Sequence, residues 1–242
     1  MSQGIFLTGT DTEVGKTVVS AALLVALRAR GLDAGYIKPV GTDGLAEAGR
    51  LVSPDLAFVR QVSGLEIPAA LGSPLCLRNP LSPLAAARLE GVELRLEEIL
   101  GSIRAGLAQH RFTVVEGVGG IMVPLTERHL VLDLMADLGL PVVVAARPGL
   151  GTINHTLLTI GAARARGLAV AGFIFSGPDP SLPPDPAIAQ NSRLITEFSG
   201  APFLGSLAWL PRDAEGGIDG GQLLAAAQAL DLEPLLALAG AD

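Results

Sequence analysis

Among 242 residues there are only two lysines, Lys16 and Lys38, and one cysteine, Cys76; every other basic residue is an arginine. A lone cysteine cannot close an internal disulfide. It fits a reducing, cytoplasmic setting, where Cys76 reads as a small apolar filler. Positive charge is scarce overall: 17 Lys and Arg against 24 Asp and Glu give a net charge of −7, with no basic block. That argues against a nucleic-acid partner. Long hydrophobic runs are missing too. The stretch from Val18 to Leu27 is broken by Ser20 and stops at Arg28, short of the roughly 20 residues a membrane span needs. Strand-like residues begin almost directly after Met1, so no signal peptide is expected. Aromatic residues make up only 4% of the chain, and its 49% hydrophobic content is mostly Ala, Leu and Val. That composition suits parallel strands buried between helices.

Strand-like and helix-like runs alternate along the chain. Strands are predicted at Gly4–Thr8, Ala34–Lys38, Phe112–Glu116, Val142–Ala146, Val170–Phe175 and Phe203–Ala208. Helices are predicted at Lys16–Arg30, Asp55–Val62, Leu84–Glu90, Leu96–His110, Val131–Leu138, Ile153–Arg166, Ala187–Phe198 and Gly221–Leu238. The expectation is an α/β fold, with one doubly wound, mostly parallel sheet, helices on both faces and a single domain over 1–242. Gly41–Ser53 is polar and reads as a mobile segment; the proline-rich Pro178–Pro186 reads as an exposed loop.

In an open parallel sheet, ligands sit beyond the carboxyl ends of the strands, so residues just after each strand carry the information. After Ile5-Phe6-Leu7 comes Gly9-Thr10-Asp11-Thr12-Glu13-Val14-Gly15-Lys16-Thr17, followed by a helical run. Strand, glycine-bracketed loop, Gly-Lys-Thr and helix form the phosphate-binding loop of nucleoside-triphosphatases. Backbone N–H groups and the helix N-terminus wrap phosphates, Lys16 supplies a point charge, and the Thr17 hydroxyl is a hard oxygen ligand for Mg²⁺. The loop is unusual: five residues separate Gly9 from Gly15, where the common pattern has four.

Lys38 closes a strand and is pinned by Pro39. In so lysine-poor a chain, a lysine kept there suggests a cation aimed at transferring phosphate or a developing carboxylate. Glu116 ends an apolar strand and is followed by Gly117-Val118-Gly119-Gly120, which allows close backbone approach to a ligand. This is the place for an acidic Mg²⁺ contact. Asp55, after Ser53-Pro54, reads equally as a helix-terminus acid and as a metal ligand. His155 reads as a packing or capping residue, and three scattered histidines make no metal cluster. Two subclasses lose ground. None of the three asparagines starts the Asn-Lys-x-Asp guanine reader, and the second lysine of partition-type ATPases is replaced by Asp11.

Four blocks together resemble dethiobiotin synthetase: Gly9–Thr17, Gly35-Tyr36-Ile37-Lys38-Pro39-Val40, Val115–Gly120, and Leu150-Gly151-Thr152-Ile153-Asn154-His155. They keep the family's order and spacing across residues 5 to 160, and the five-residue loop is a family trait. The resemblance implies ATP- and Mg²⁺-dependent closure of 7,8-diaminopelargonic acid and CO₂ to dethiobiotin, through a carbamate and a carbamic-phosphoric anhydride, in biotin biosynthesis. It also implies roles. Lys16, Lys38 and Thr12 would be catalytic. Thr17, Asp55 and Glu116 would hold Mg²⁺. Glu13, Val14, Gly15, Val18, Gly117, Val118 and Gly119 would join the nucleotide site. Thr12, Lys38, Thr42, Leu150, Gly151, Thr152 and Asn154 would meet the diamine, the 150–154 loop across a homodimer interface. Many family members place Asn-Asp where this chain has Ser176-Gly177. A serine cannot make an amide's paired contact to a base, so weaker base selectivity, with CTP also accepted, is expected. Ala208, Trp209 and Leu210 resemble the opposite wall of the base site, and Glu215 its ribose side. The alternative from another class is a regulatory or partner-loading P-loop NTPase. A cobyrinate-type synthetase is disfavoured, because it would carry a glutaminase cysteine.

Overall fold

Val142-Val143-Val144-Ala145-Ala146 is wholly buried, and both sets of alternating residues are apolar. A strand of that kind cannot leave either face in water, so the sheet containing it must be covered on both sides. The computed structural model describes residues 4–177, 187–214 and 217–240. Its elements run β1 (Gly4–Gly9), α1 (Lys16–Ala29), β2 (Ala34–Ile37), β3 (Val40–Gly41), β4 (Leu45–Glu47), β5 (Arg50–Val52) and α2 (Pro54–Ser63). Then come α3 (Ala69–Gly72), β6 (Leu75–Cys76), α4 (Pro83–Glu90), α5 (Leu96–Leu107), β7 (Phe112–Gly120), α6 (Val131–Leu138) and β8 (Val142–Ala146). The chain continues through α7 (Thr152–Ala165), β9 (Val170–Ser176), α8 (Ala187–Ser199), β10 (Phe203–Leu207), α9 (Gly220–Ala227) and α10 (Glu233–Ala239).

Six strands form one parallel sheet in the order β10-β9-β8-β1-β7-β2. Side chains alternate between two cores. Ile5, Leu7, Val143, Ala145 and Ile174 face α1, α2, α9 and α10. Phe6, Val115, Val142, Val144, Phe173 and Phe175 face α5, α6, α7 and α8. Because all six strands run the same way, their carboxyl ends share one edge, with the β1 loop near its middle. The predicted doubly wound α/β class is what the chain adopts. Among the described residues, no helix is long and apolar enough to cross a membrane.

Three segments differ from the sequence expectations. Gly41–Ser53, expected as a mobile stretch, contains an antiparallel hairpin in which β4 pairs with β5. Its two-residue turn, Ala48-Gly49, has φ of 47° and 82°, the signature of a type I′ turn. Alanine is a poor marker of that turn, which is why it escaped notice. Arg60 straps the hairpin to α2 through both Glu47 oxygens, at 2.8 and 3.1 Å. The predicted helix Gly221–Leu238 is two helices, α9 and α10. Pro234, which has no N–H, sits in the first turn of α10, and the Asp231 N–H is tied to the Leu204 carbonyl at 2.8 Å. Finally, β7 continues to Gly120, so the glycines expected after the strand belong to it. The 178–186 loop reading lies outside the described residues.

The α8-side core closes with three aromatic rings. Phe173 meets Phe175 edge-on at 5.6 Å and Phe203 at 5.1 Å. Replacing Phe173 by Ala should therefore remove about 3–5 kcal/mol of unfolding free energy. Urea titration measures this, and an unchanged midpoint would contradict the packing described.

Candidate active site

The loop after β1 is shaped by two residues in the left-handed region, Glu13 at φ 59° and Gly15 at φ 85°. A Cβ on Gly15 would also stand 2.1 Å from Ser176 Oγ, so glycine is required there twice over. The Thr10 N–H donates to the Ala145 carbonyl at 3.0 Å, which ties the start of the loop to β8. No side chain caps the start of α1. Its first N–H donors and the positive end of its dipole are thus available to an anion. Lys16 is nearly buried, and its ammonium donates to the Asp11 carbonyl at 2.8 Å. Burial pulls its pKa down to about 8, and the charge of Lys38 pushes the same way.

Beside the loop lies a charged cluster drawn from four parts of the chain. Lys38 follows β2, and its ammonium is 2.8 Å from Asp55 Oδ2 and 2.9 Å from Glu116 Oε1. It also donates to the Gly117 carbonyl at 3.0 Å. Thr17 Oγ1 is 2.6 Å from Asp55 Oδ1 and 3.0 Å from Glu116 Oε1, and its one proton serves one of them at a time. Tyr36 donates to the other oxygen of Glu116 at 3.0 Å. Lys38 is 4% exposed and Glu116 0%. Burial works against the Lys38 charge, but Glu116 and Asp55 outweigh it and hold the ammonium well above its ordinary range. Burial likewise disfavours the Asp55 carboxylate, yet Lys38, Thr17 and Ser53 keep it below the usual carboxylate value. Burial, and then the Glu116 and Asp55 charges, push the Tyr36 phenol far up.

Asp55 is aimed by its helix start. The Ser53 hydroxyl accepts from the Asp55 N–H at 3.1 Å and donates to its carboxylate at 3.0 Å. Ser53 is thus both the α2 cap and a support for Asp55. The hydroxyl and two carboxylates around Thr17 form a hard-oxygen donor set that fits Mg²⁺. Among the described residues, no group of three His, Cys, Asp or Glu does so; here the third donor is a threonine.

A cleft of about 580 Å³ runs from the loop along the ends of β8, β9 and β10. Glu13, Val14, Gly15 and Val18, expected at a nucleotide site, and Ser176, Gly177, Ala208, Trp209 and Leu210, expected around a base, all line it. Leu150 and Thr152 line it too, and so does His155, which is exposed rather than packed. Asn154 is exposed and Leu150 fully so. Gly117, Val118 and Gly119 lie elsewhere. Gly117 and Val118 border a small hollow with Pro39 and Glu116, and a Cβ on Gly119 would come 3.7 Å from Thr12 Oγ1. Thr12 is exposed, its N–H bonded to Asp11 Oδ1 at 2.8 Å; Thr42 is half-buried just after β3. Glu215 lies outside the described residues.

Sequence reasoning missed four contributors. Tyr36 shares a strand face with Lys38, so period-two spacing could have found it. Ser53 could have been read as a cap. Arg147, which lines the cleft and meets Asp11 Oδ2 at 3.1 Å, has no local signal. Neither does Asn191, whose buried amide donates to the Pro148 carbonyl at 2.8 Å and steadies that loop.

Comparison with known proteins adds independent information. A family model described as "AAA domain" matches residues 3–214. The ATP-dependent dethiobiotin synthetase BioD of Anaeromyxobacter sp. (strain K) is 45% identical over 211 residues, which is 86% of this chain and 91% of that protein. The protein of the same name from Anaeromyxobacter dehalogenans (strain 2CP-C) is 43% identical over 226 residues, covering 93% and 98%. Among solved structures, the MinC:MinD cell division protein complex of Aquifex aeolicus superposes with a TM-score of 0.53 at 13% identity, covering 93% of this chain and 94% of that one. That likeness is one of fold.

The buried cluster makes Lys38 a structural cation as well as a candidate catalytic one. Lys38→Met should lower the unfolding free energy by about 3–5 kcal/mol in metal-free buffer, because it leaves two carboxylates without their cation. Added Mg²⁺ should restore part of the loss, and more than it adds to the parent protein. Denaturant titration with and without Mg²⁺ measures both; an unchanged free energy would remove Lys38 from the cluster's balance.

Proposed function

The chain belongs to the AAA-domain family and, within it, to the ATP-dependent dethiobiotin synthetases, and from that premise we propose how its residues serve the reaction. It is an ATP-dependent ligase of biotin biosynthesis. The substrates are 7,8-diaminopelargonic acid, CO₂ and ATP; the products are dethiobiotin, ADP and phosphate. One amine takes up CO₂ as a carbamate, the carbamate oxygen attacks the γ-phosphoryl group, and the second amine closes the ring on the mixed anhydride. Such a sequence needs placement and charge neutralisation more than a covalent enzyme group.

The observation that carries this reading is the pair of buried ammonium groups beside one loop. Among the described residues, the hydrogen-bond acceptor of the Lys16 ammonium is the Asp11 carbonyl. Exchanging that neutral acceptor for phosphate oxygens gives it an anionic partner. Lys38, between Asp55 and Glu116, stands where carbamate and phosphoryl charge would meet. Thr12, on the loop's exposed side, faces the reacting groups. Thr17, Asp55 and Glu116 would hold Mg²⁺, which when bound neutralises charge on the β- and γ-phosphates. Thr42 and the 150–154 loop take the diamine's far end. Leu150 and Asn154 point outward, which fits a homodimer whose partner completes the substrate site, in a cytoplasmic setting.

On the base side, Ser176 turns its hydroxyl to Gly15, and a Cβ on Gly177 would stand 2.1 Å from the Leu207 carbonyl. Close-packed backbone, rather than an amide side chain, faces the base. That supports acceptance of CTP as well as ATP.

Phosphate release should rise at least about tenfold when diaminopelargonate and bicarbonate are both present. Release indifferent to the diamine would sink the ligase mechanism. In the same assay, CTP should replace ATP with no more than about a tenfold loss, the scale of one missing discriminating contact. Strict ATP dependence would refute the base-tolerance reading.

A further inference from the structure

Helix α2 brings one stripe toward two different regions. Asp55, Phe58 and Gln61 are spaced three apart and line the same hollow of about 420 Å³, together with Thr17 and Val18. The first of them belongs to the charged cluster. The other two support the loop that follows β10. Arg212 lays its guanidinium over the Phe58 ring, 5.4 Å from the centroid. A Cβ on Gly217 would stand 2.1 Å from Gln61 Nε2, so the loop rests on that side chain. Asp213 and Gly217 exchange two hydrogen bonds, N–H to carbonyl at 2.9 Å and N–H to carboxylate at 2.7 Å, which close the chain just past Arg212.

Arg212 thereby stands at a junction. It and Val18 line both this hollow and the larger cleft. One side leads to Ala208, Trp209 and Leu210, the other to Thr17 and Asp55. The cleft is lined at once by Glu13, Val14 and Gly15 of the loop, by Ala208, Trp209 and Leu210, and by Arg212, so a nucleotide with its base against that wall and its phosphates on the loop lies alongside Arg212. We propose that Arg212 binds the phosphate tail of the nucleotide from the side opposite the loop, with Phe58 as its platform. This rests on the reading of the cleft as a nucleotide site and adds a residue to it. A guanidinium suits the task. Its planar fork matches phosphate oxygens, and its weak hydration lets it stack on an aromatic face. The need for another cation is local: Lys38 already answers Asp55 and Glu116, and the chain as a whole is acidic. The pairing also joins the base wall to the helix that carries Asp55.

Calorimetric titration of the full-length protein with ADP, at several salt concentrations, tests the assignment. Arg212→Ala should weaken ADP binding about tenfold, the effect of one charge-assisted contact. It should also flatten the salt dependence, since a screened charge pair is gone. Arg212→Lys, which keeps the charge and loses the fork, should fall between parent and alanine variant. Phe58→Leu, which keeps apolar bulk and removes the ring face, should weaken binding about threefold, the scale of an exposed cation–π contact. Unchanged ADP affinity in Arg212→Ala overturns the proposal. So does a loss with unaltered salt dependence, which would make Arg212 a packing residue. The readout is binding alone. Failure of diamine-dependent phosphate release in the parent would remove the reaction and leave this assignment, and the converse also holds.

Discussion

A buried lysine held between the buried Glu116 carboxylate and the half-buried Asp55 carboxylate is the constraint around which this site is built. Lys38, Asp55 and Glu116 come from the end of β2, the start of α2 and the middle of β7. Neither Lys38 nor Glu116 could be buried alone at tolerable cost, since an uncompensated charge away from water costs several kcal/mol, and the half-buried Asp55 completes their balance. Together they lock three elements at one corner of the sheet. Tyr36 and Thr17 complete the hydrogen bonding of Glu116, and Ser53 that of Asp55. The corner is consequently both a joint of the fold and a reservoir of charge next to a phosphate loop.

The phosphate loop depends on its surroundings in the same way. Gly15 is demanded by a positive φ and by Ser176, which ends β9, two strands from β1 in the sheet and far away in sequence, yet lies against the loop. That contact decides what Ser176 can do. Its hydroxyl is turned toward Gly15, and the far end of the cleft is lined by Gly177, Ala208, Trp209 and Leu210. Parallel pairing makes this possible, because it brings the ends of β1, β8, β9 and β10 to one edge.

Helix α2 connects these two regions. Its cap residue aims a carboxylate at the charged corner, and one turn further on its side chains support the loop after β10. The hairpin of β4 and β5 is strapped to the same helix by Arg60. A short helix with few fully buried side chains thus carries contacts from three directions, and its placement rests on electrostatics as much as on apolar packing.

What could be read from the residues alone was whatever rests on local pattern. The strand-loop-helix around Gly-Lys-Thr, the alternation that specifies a parallel sheet, and the candidate ligands Thr17 and Glu116 follow from spacing and composition, because backbone geometry and periodic burial act within a few residues. Asp55 reads equally as a helix-terminus acid, and only the family resemblance favours it as a ligand. The type I′ turn at Ala48-Gly49 and the break before Pro234 are local too, but their signals were weak or passed over. Other facts have no local expression. That Lys38 answers both carboxylates, that Ser176 lies against Gly15, and that Arg212 stacks on Phe58 are meetings of residues far apart in sequence. Only the packing of two cores against one sheet brings them within a few ångströms, and charge and hydrogen bonding act only at that range.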